Sequence, residues 1–430
     1  MSFVKLILNS GSNNKLLERF LLSLIFFGIF LNIFKNRLYD NDWTVGEWLI
    51  SYPGSFIRRG LIGKLIYIIS KNLQINPIFL IWFICIISFI GLFLIIKFFS
   101  WNIFNKSFLF SNFVLLGPIS ENYFIRKDIF IVFLYGLCLL SLKIFRDNKI
   151  NRFTSIFLIN LYSCIAILSH EVFFIWAFPS IFLLVLQVNN SKNRNYKSSL
   201  LVSFLNLLPM IISFICCITF KGDSEKSLLI HKQWQTLSNL INSEGLLFKD
   251  FPSGAISAIG WDPKAHFILS ISNLTKFNLN IFWHPAMWLL TIFYGIRLFS
   301  GVKGEFLNDK KRFIICFQLL CIFPIFLPGA DYGRWLFMWI SSSVILIGYL
   351  ENVNETEIFI KRINIFKIEK YLKKLLPSIS SYKQYYILIL SIGIPHCCWS
   401  VGRYIISNPV GFAFKNIIFY IDIAYKSLIS

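Results

Sequence analysis

The charged side chains of this 430-residue chain gather in a few tight groups, and the first holds the most chemistry. Residues 39–64 read YDNDWTVGEWLISYPGSFIRRGLIGK and carry Asp40, Asp42, Glu47, Arg58 and Arg59. Asp40 and Asp42 are two apart, so in extended backbone both carboxylates project to one side. There they can address one ligand, deprotonate an acceptor or share a divalent metal; the alternative is a helix cap and a solvated turn. Arg58 and Arg59 offer two guanidinium forks of the kind that bind phosphate oxygens bidentately. Their alternative role is contact with lipid head groups.

Three further groups follow. Glu121, Arg126, Lys127 and Asp128 bracket the start of an apolar run. Arg126 is either a candidate phosphate ligand or a residue snorkelling to the membrane surface, whereas Lys127 reads as snorkelling and Asp128 as a helix cap. His170 and Glu171 interrupt a long apolar stretch where a turn would ordinarily use Gly, Asn or Ser. An adjacent His and Glu there suit proton transfer or ligand binding. Asp331 and Arg334, three apart beside Pro328 and Gly329, fit either a helix-start ion pair or a further part of an anion site. His231, His266 and His284 are scattered, with no metal-ligand spacing among them. The nine cysteines lie mostly in apolar runs and form no Cys-x-x-Cys, so they read as small core residues, and no disulfide framework or cofactor is expected.

The elements that must position these groups are membrane helices. The chain is 56% hydrophobic and only 15% charged, with a mean hydropathy of +0.66. Its repeated apolar runs are near the length that crosses a bilayer, which predicts an all-α, polytopic bundle and excludes a soluble domain or a barrel. Eleven or twelve spans are expected, at 20–36, 78–96, 103–119, 128–145, two within 153–188 divided at 169–171, 200–220, 282–299, 313–328, 335–350, 385–402 and a weaker one at 404–424. The run after Arg59 places Leu61, Ile62, Leu65, Ile66, Ile69 and Leu73 on one helical face and Lys64 and Lys71 on the other. That pattern predicts an interfacial helix inside a first outer loop, 37–77. Residues 221–281 form the one large polar segment, expected to be an outer capping loop with short helices.

The formal net charge of +21 lies in short loops between apolar runs, so it points to membrane orientation and lipid contact rather than to nucleic acid. Under the positive-inside rule the Lys/Arg-rich loops at 97–107, 143–152, 189–199, 297–312 and 351–384 are cytoplasmic. Every acidic or mixed-charge group then falls on the outer face. Several carboxylates, a His and several Arg residues at one membrane surface suit a reaction on a lipid-linked phosphate: a base for an acceptor hydroxyl, and cations for the departing phosphate.

With ten to twelve spans, basic inner loops, an acidic first outer loop and one large outer loop, the chain resembles the multispanning proteins of bacterial surface-polysaccharide pathways. These include the O-antigen polymerases and the glycosyltransferases of the C-type fold. The resemblance implies an acidic motif at Asp40 and Asp42, followed by the interfacial helix after Arg59. It also implies catalysis at the periplasmic face of the inner membrane on undecaprenyl-diphosphate-linked oligosaccharide. Membrane lipids, a chain-length regulator and other assembly proteins are its natural partners. One polymerase feature, an Arg eleven residues before a Gly in the large loop, is absent from this sequence. Transfer of a single sugar from a polyprenyl-phosphate donor is the alternative reaction. An acyltransferase would use His170 as its base. A flippase would place charges at mid-membrane depth in repeated halves, and neither is visible in the sequence.

Overall fold

The computed structural model describes residues 42–120, 123–190, 196–240, 251–261, 309–326, 332–353 and 408–429 continuously, with isolated residues elsewhere. The regular elements among them are all helices. Asp40, Glu121 and Asp331 lie outside the described residues. So do most of the spans expected at 282–299 and 385–402 and most of the 351–384 loop.

A short helix α1 (Thr44–Leu49) precedes α2 (Gly60–Leu73) and the long α3 (Pro77–Ser100). Then come α4 (Asp128–Arg146), α5 (Arg152–Ser169) and α6 (Val172–Asn190). Next are α7 (Tyr196–Asn206), α8 (Leu208–Thr219), α9 (Ser224–Gln235) and α10 (Gly254–Ala258), followed by α11 (Asp309–Phe326), α12 (Tyr332–Asn352) and α13 (Pro409–Ile429). Among the described residues five helices are long and apolar enough to cross a membrane: α3, α4, α5, α6 and the 333–352 part of α12. The bent pair α7–α8 makes a sixth. The chain thus has the helices of a multi-pass membrane protein.

α12 is the axis of the bundle and is buried along its length. α3, α4 and α11 pack around it. The α3–α12 contact is backbone-close: a Cβ at Gly348 would lie 2.4 Å from Ser100 Oγ and 2.7 Å from the Phe99 carbonyl oxygen. Ser100 Oγ donates to the Val344 carbonyl at 2.9 Å, and Asn352 Nδ2 donates to the Phe99 carbonyl at 2.9 Å. Small residues and interhelical hydrogen bonds hold membrane helices together where the hydrophobic effect does not distinguish lipid from protein. The opposite face of α3 exposes Phe79, Phe83, Ile87, Ile90, Leu94 and Phe98, a stripe at helical spacing that suits contact with lipid tails.

The structure corrects two expected spans. Residues 103–119 do not form a crossing helix. They run through turns and two short helices, Lys106–Leu109 and Gly117–Ser120. The segment still carries the chain the length of the bundle, from Ser100 beside the far end of α12 to Arg126 beside its start. Irregular backbone at that depth is tolerable only when enclosed by protein. Phe108, Leu109, Phe113, Val114, Leu115, Leu116 and Ile119 are all buried. The expected span at 200–220 is broken at Leu207, where α7 and α8 meet at 55°. Pro209 cannot donate a helical hydrogen bond there, and Asn160 Nδ2 caps the Asn206 carbonyl at 2.7 Å.

α2 forms where the sequence placed it, but its apolar face is divided. Ile62, Gly63 and Ile66 turn inward, while Leu65, Ile68, Ile69 and Leu73 are exposed. Gly63 is needed for this fit: a Cβ there would lie 1.9 Å from the Ile50 carbonyl oxygen. α9 and α10 close over the same end. Trp234 Nε1 donates to the Leu49 carbonyl at 2.6 Å, Ser51 Oγ to Gln233 Oε1 at 2.7 Å, and the Ala255 N–H to the Asp42 carbonyl at 3.0 Å.

With 19 residues, α4 spans about 28 Å at 1.5 Å per residue, long enough for its two ends to reach opposite membrane surfaces. Lys232→Cys on α9 and Asn148→Cys after α4, each in a cysteine-free background, should therefore react with an impermeant maleimide from opposite sides of sealed vesicles. Labelling of both from one side would overturn the crossing.

Candidate functional site

The chemistry gathers at the end of the bundle where α4, α6 and α12 start and α5 finishes. Its centre is Glu47, on the fully buried α1. α1 is held by Trp48, whose indole N–H donates to the Ile125 carbonyl. Glu47 Oε2 lies 3.2 Å from Arg126 Nη1 and 3.6 Å from Arg334 Nη2. Glu47 Oε1 lies 3.1 Å from His170 Nε2. Arg334 also forks onto Asp128, with Nε to Oδ2 at 2.5 Å and Nη2 to Oδ1 at 3.0 Å. The Asp128 side chain therefore serves as the counter-ion of α12 and not as the cap of its own helix. Arg126 is likewise buried and paired rather than snorkelling.

Glu171 anchors the second half. Arg59 donates to both its oxygens at 2.7 Å, and Arg58 Nη1 stands 3.6 Å away. Arg59 caps the start of α2 in the left-handed region, with φ 66°. A non-glycine residue held there stores strain of order 1–3 kcal/mol, which the surroundings must over-determine. Lys127 supplies part of that constraint. Its ammonium donates to the Arg59 carbonyl at 3.2 Å and the Ser169 carbonyl at 3.0 Å, over the Trp48 ring. One buried lysine thus ties the Arg58–Arg59 loop to the His170–Glu171 turn, a role opposite to the snorkelling expected of it.

Charge balance sets the electrostatics. Among the described residues the cluster holds the cations Arg58, Arg59, Arg126, Lys127 and Arg334 against the carboxylates Glu47, Asp128 and Glu171. Burial alone would raise the Glu47 carboxyl; Arg334, the His170 hydrogen bond and Arg126 outweigh it and hold the group well below the usual carboxylate range. Burial likewise opposes ionisation of Glu171, and Arg59 overcomes it. Burial brings the Lys127 ammonium down to about 8, against the pull of Glu47. Burial and Arg59 push His170 below the ordinary imidazole range, only partly countered by Glu47, so the ring is neutral near pH 7. Among the described residues the excess is therefore two positive charges.

The cluster is closed on one edge and open on the other. Side-chain exposure is 2% at Glu47, 1% at Asp128 and 6% at Arg334, but 21% at Arg58, 25% at Arg59 and 13% at Glu171. Several buried polar atoms have no hydrogen-bond partner: Arg58 Nε, Arg126 Nε, His170 Nδ1 and the Tyr52 hydroxyl. Buried polar atoms are nearly always satisfied in the resting fold. A group of such atoms beside an open, cationic edge has the properties of a ligand site.

Of the residues singled out in the sequence, the structure joins Arg58, Arg59, Arg126, His170, Glu171 and Arg334 in one cluster. Asp42 is tied by its backbone to α10, and the ion pairs described here run through Glu47 instead. Glu47, named in the first group, has no role assigned from the sequence, although it is an isolated acid in the apolar run VGEWLI, the same signal that marked Glu171. Among the described residues no group of three or more His, Cys, Asp or Glu side chains is placed to hold a metal ion. No protein-family model, curated protein or solved structure matches this chain.

Removing one member of a buried ion pair leaves an uncompensated charge, at about 3–5 kcal/mol. Asp128→Ala and Arg334→Ala should each lower the melting temperature of the detergent-solubilised protein substantially. Asp147→Ala breaks the exposed pair with Lys143 and should cost under about 1 kcal/mol. Equal melting temperatures for Asp128→Ala and Asp147→Ala would contradict the structural role of the Arg334 fork.

Proposed function

We propose that the chain is a glycosyltransferase of the polymerase type, acting on undecaprenyl-diphosphate-linked oligosaccharide at the periplasmic face of the bacterial inner membrane. The observation that carries this reading is the excess of two positive charges among the described residues at the end of an apolar bundle, open at Arg58 and Arg59. A phosphate or diphosphate supplies the missing negative charge and the acceptor oxygens that fit guanidinium forks. α2 adds the second half of the recognition. It begins directly after Arg59 and exposes Leu65, Ile68, Ile69 and Leu73, a surface suited to an isoprenoid tail or the lipid around it. The basic loops place this end outside the cytoplasm.

Arg58 is the residue to test for phosphate, because its guanidinium is only loosely engaged with Glu171 and its Nε has no partner. A hydrogen bond to a charged group contributes about 1.5–3 kcal/mol, or roughly 10- to 150-fold in binding. Arg58→Ala should weaken binding of undecaprenyl phosphate in detergent micelles by that order. Arg58→Lys should recover little of it, because the fork is lost while the charge remains. Unchanged binding in both variants would exclude Arg58 from the phosphate site. The reaction itself is tested by deleting the gene. Lipid carrier bearing one repeat unit is the polymerase outcome, whereas polymer lacking one side sugar identifies a single-sugar transferase with a polyprenyl-phosphate donor.

A further inference from the structure

We propose that His170 is the general base of this site, acting through Nδ1, and that Glu47 is the positioning residue that leaves that nitrogen free to act. The proposal rests on the glycosyl-transfer reading above and adds the group that activates the acceptor.

Glu47 Oε1 is 3.1 Å from His170 Nε2. An ionised carboxylate only accepts, so the proton must sit on Nε2. In a neutral ring Nδ1 is then a bare lone pair, the tautomer a base needs. Nδ1 is buried, with no hydrogen-bond partner. Glu171 Oε2 stands 4.0 Å from it, beyond hydrogen-bond reach. His170 itself is 7% exposed. A histidine that merely fills a core ordinarily satisfies both nitrogens; this one gives one nitrogen to a carboxylate and leaves the other without a partner, 4.0 Å from the partly exposed Glu171.

The ring cannot easily turn away. Glu47 is fixed at Oε2 by Arg126 and Arg334, which directs Oε1 to His170. The His170 backbone ends α5, where its N–H donates to the Ala166 carbonyl at 2.7 Å, and the preceding Ser169 carbonyl is held by Lys127 at 3.0 Å. The side chains around the ring are Glu47 from α1, Arg59 from the loop before α2, and Glu171 on the same turn, with Lys127 close behind. A carboxylate that sets the tautomer of a histidine and stabilises its imidazolium is a recurrent catalytic arrangement.

The step balances within the groups named. The acceptor hydroxyl oxygen forms a bond to the anomeric carbon of the donor sugar, and its proton passes to Nδ1. The anomeric carbon–oxygen bond to diphosphate breaks, and the electron pair leaves on the diphosphate, beside Arg58 and Arg59. The new imidazolium faces Glu47 and Glu171. Glu171, which occupies the Arg59 fork in the absence of substrate, is the group an incoming diphosphate displaces.

His170→Gln keeps a donor for Glu47 and removes the base. It should accumulate in the membrane and bind undecaprenyl phosphate within about twofold of wild type. Polymer formation by membrane vesicles should fall by about 10²- to 10⁴-fold. Nitrogen-15 NMR of histidine-labelled wild-type protein in micelles, with His170 assigned by difference from His170→Gln, should show protonated Nε2 and bare Nδ1. Glu47→Gln should abolish that tautomer preference and shift the acid limb of the vesicle pH–rate profile. A wild-type rate in His170→Gln, or a wild-type ring protonated at Nδ1, would overturn the proposal. Should His170→Gln fail to fold, replacing His231, His266, His284 and His396 by Gln instead leaves His170 as the single labelled imidazole, and the same tautomer is read from it. If wild-type protein shows the bare Nδ1 but does not bind undecaprenyl phosphate, the lipid-phosphate reading fails separately from the geometry of the dyad.

Discussion

The rest of the site depends on neutralising one carboxylate. Glu47 is enclosed in an otherwise apolar bundle end, where an isolated ionised carboxylate would cost several kcal/mol. Three partners from distant parts of the sequence remove that cost: Arg126, Arg334 and the His170 N–H. Each brings its own segment. Arg126 fixes the arrival of the irregular 101–120 segment and the start of α4; Arg334 fixes the start of the axial helix α12; His170 fixes the turn between α5 and α6. One buried charge thereby sets the register of four elements at once. Backbone hydrogen bonds inside helices cannot do this, because they are blind to how helices slide against one another.

The remaining connections extend the network outward from that point. Arg334 uses the rest of its fork on Asp128, so α4 and α12 are locked to each other as well as to α1. Lys127 spends its donors on two carbonyls, and thereby sets the separation between the arginine loop and the His170–Glu171 turn. The order is directional. On the Asp128 side the charges are matched and sealed; on the Arg58 side they are partly wet, with donor atoms left over and Arg59 in a left-handed backbone. Stability is concentrated at the closed edge and unsatisfied chemistry at the open one, the division expected of a site held rigid from behind.

Among the described residues, the all-helical class and most helix positions were legible in the sequence, since apolar runs of bilayer length have few other uses. It also brought the right charges to one end. Assigning the basic loops to one membrane side makes no use of the acidic groups, and Arg58, Arg59, Arg126, His170, Glu171 and Arg334 do meet. What it left hidden was pairing. Asp128 at a helix start looks like a cap, and only the approach of α12 turns it into a counter-ion. Lys127 looks like a snorkelling residue because sequence does not reveal that two carbonyls wait beside it. The span at 103–119 misleads because hydropathy measures burial, and a chain folded in turns inside protein is as buried as a helix in lipid. The break at Leu207 was signalled by Pro209, which a hydropathy window averages away.

That irregular segment also explains why the charged end can be so crowded. A straight helix from Ser100 back to Asp128 would need about 20 residues to cross 30 Å; the chain spends more, and uses the surplus in turns beneath the cluster. The turns let Trp48 reach the Ile125 carbonyl and let Asn32 reach that of Ile119. Both are carbonyls that a continuous helix would have consumed in its own ladder. Side chains from α1 and from the first expected span are thereby anchored on backbone rather than on other side chains. α1, only six residues long and without a side-chain cap, could not hold Glu47 in place by itself. Regular secondary structure is given up ahead of α4, and the short helix bearing the central carboxylate thereby gains a fixed carbonyl, that of Ile125, to bind.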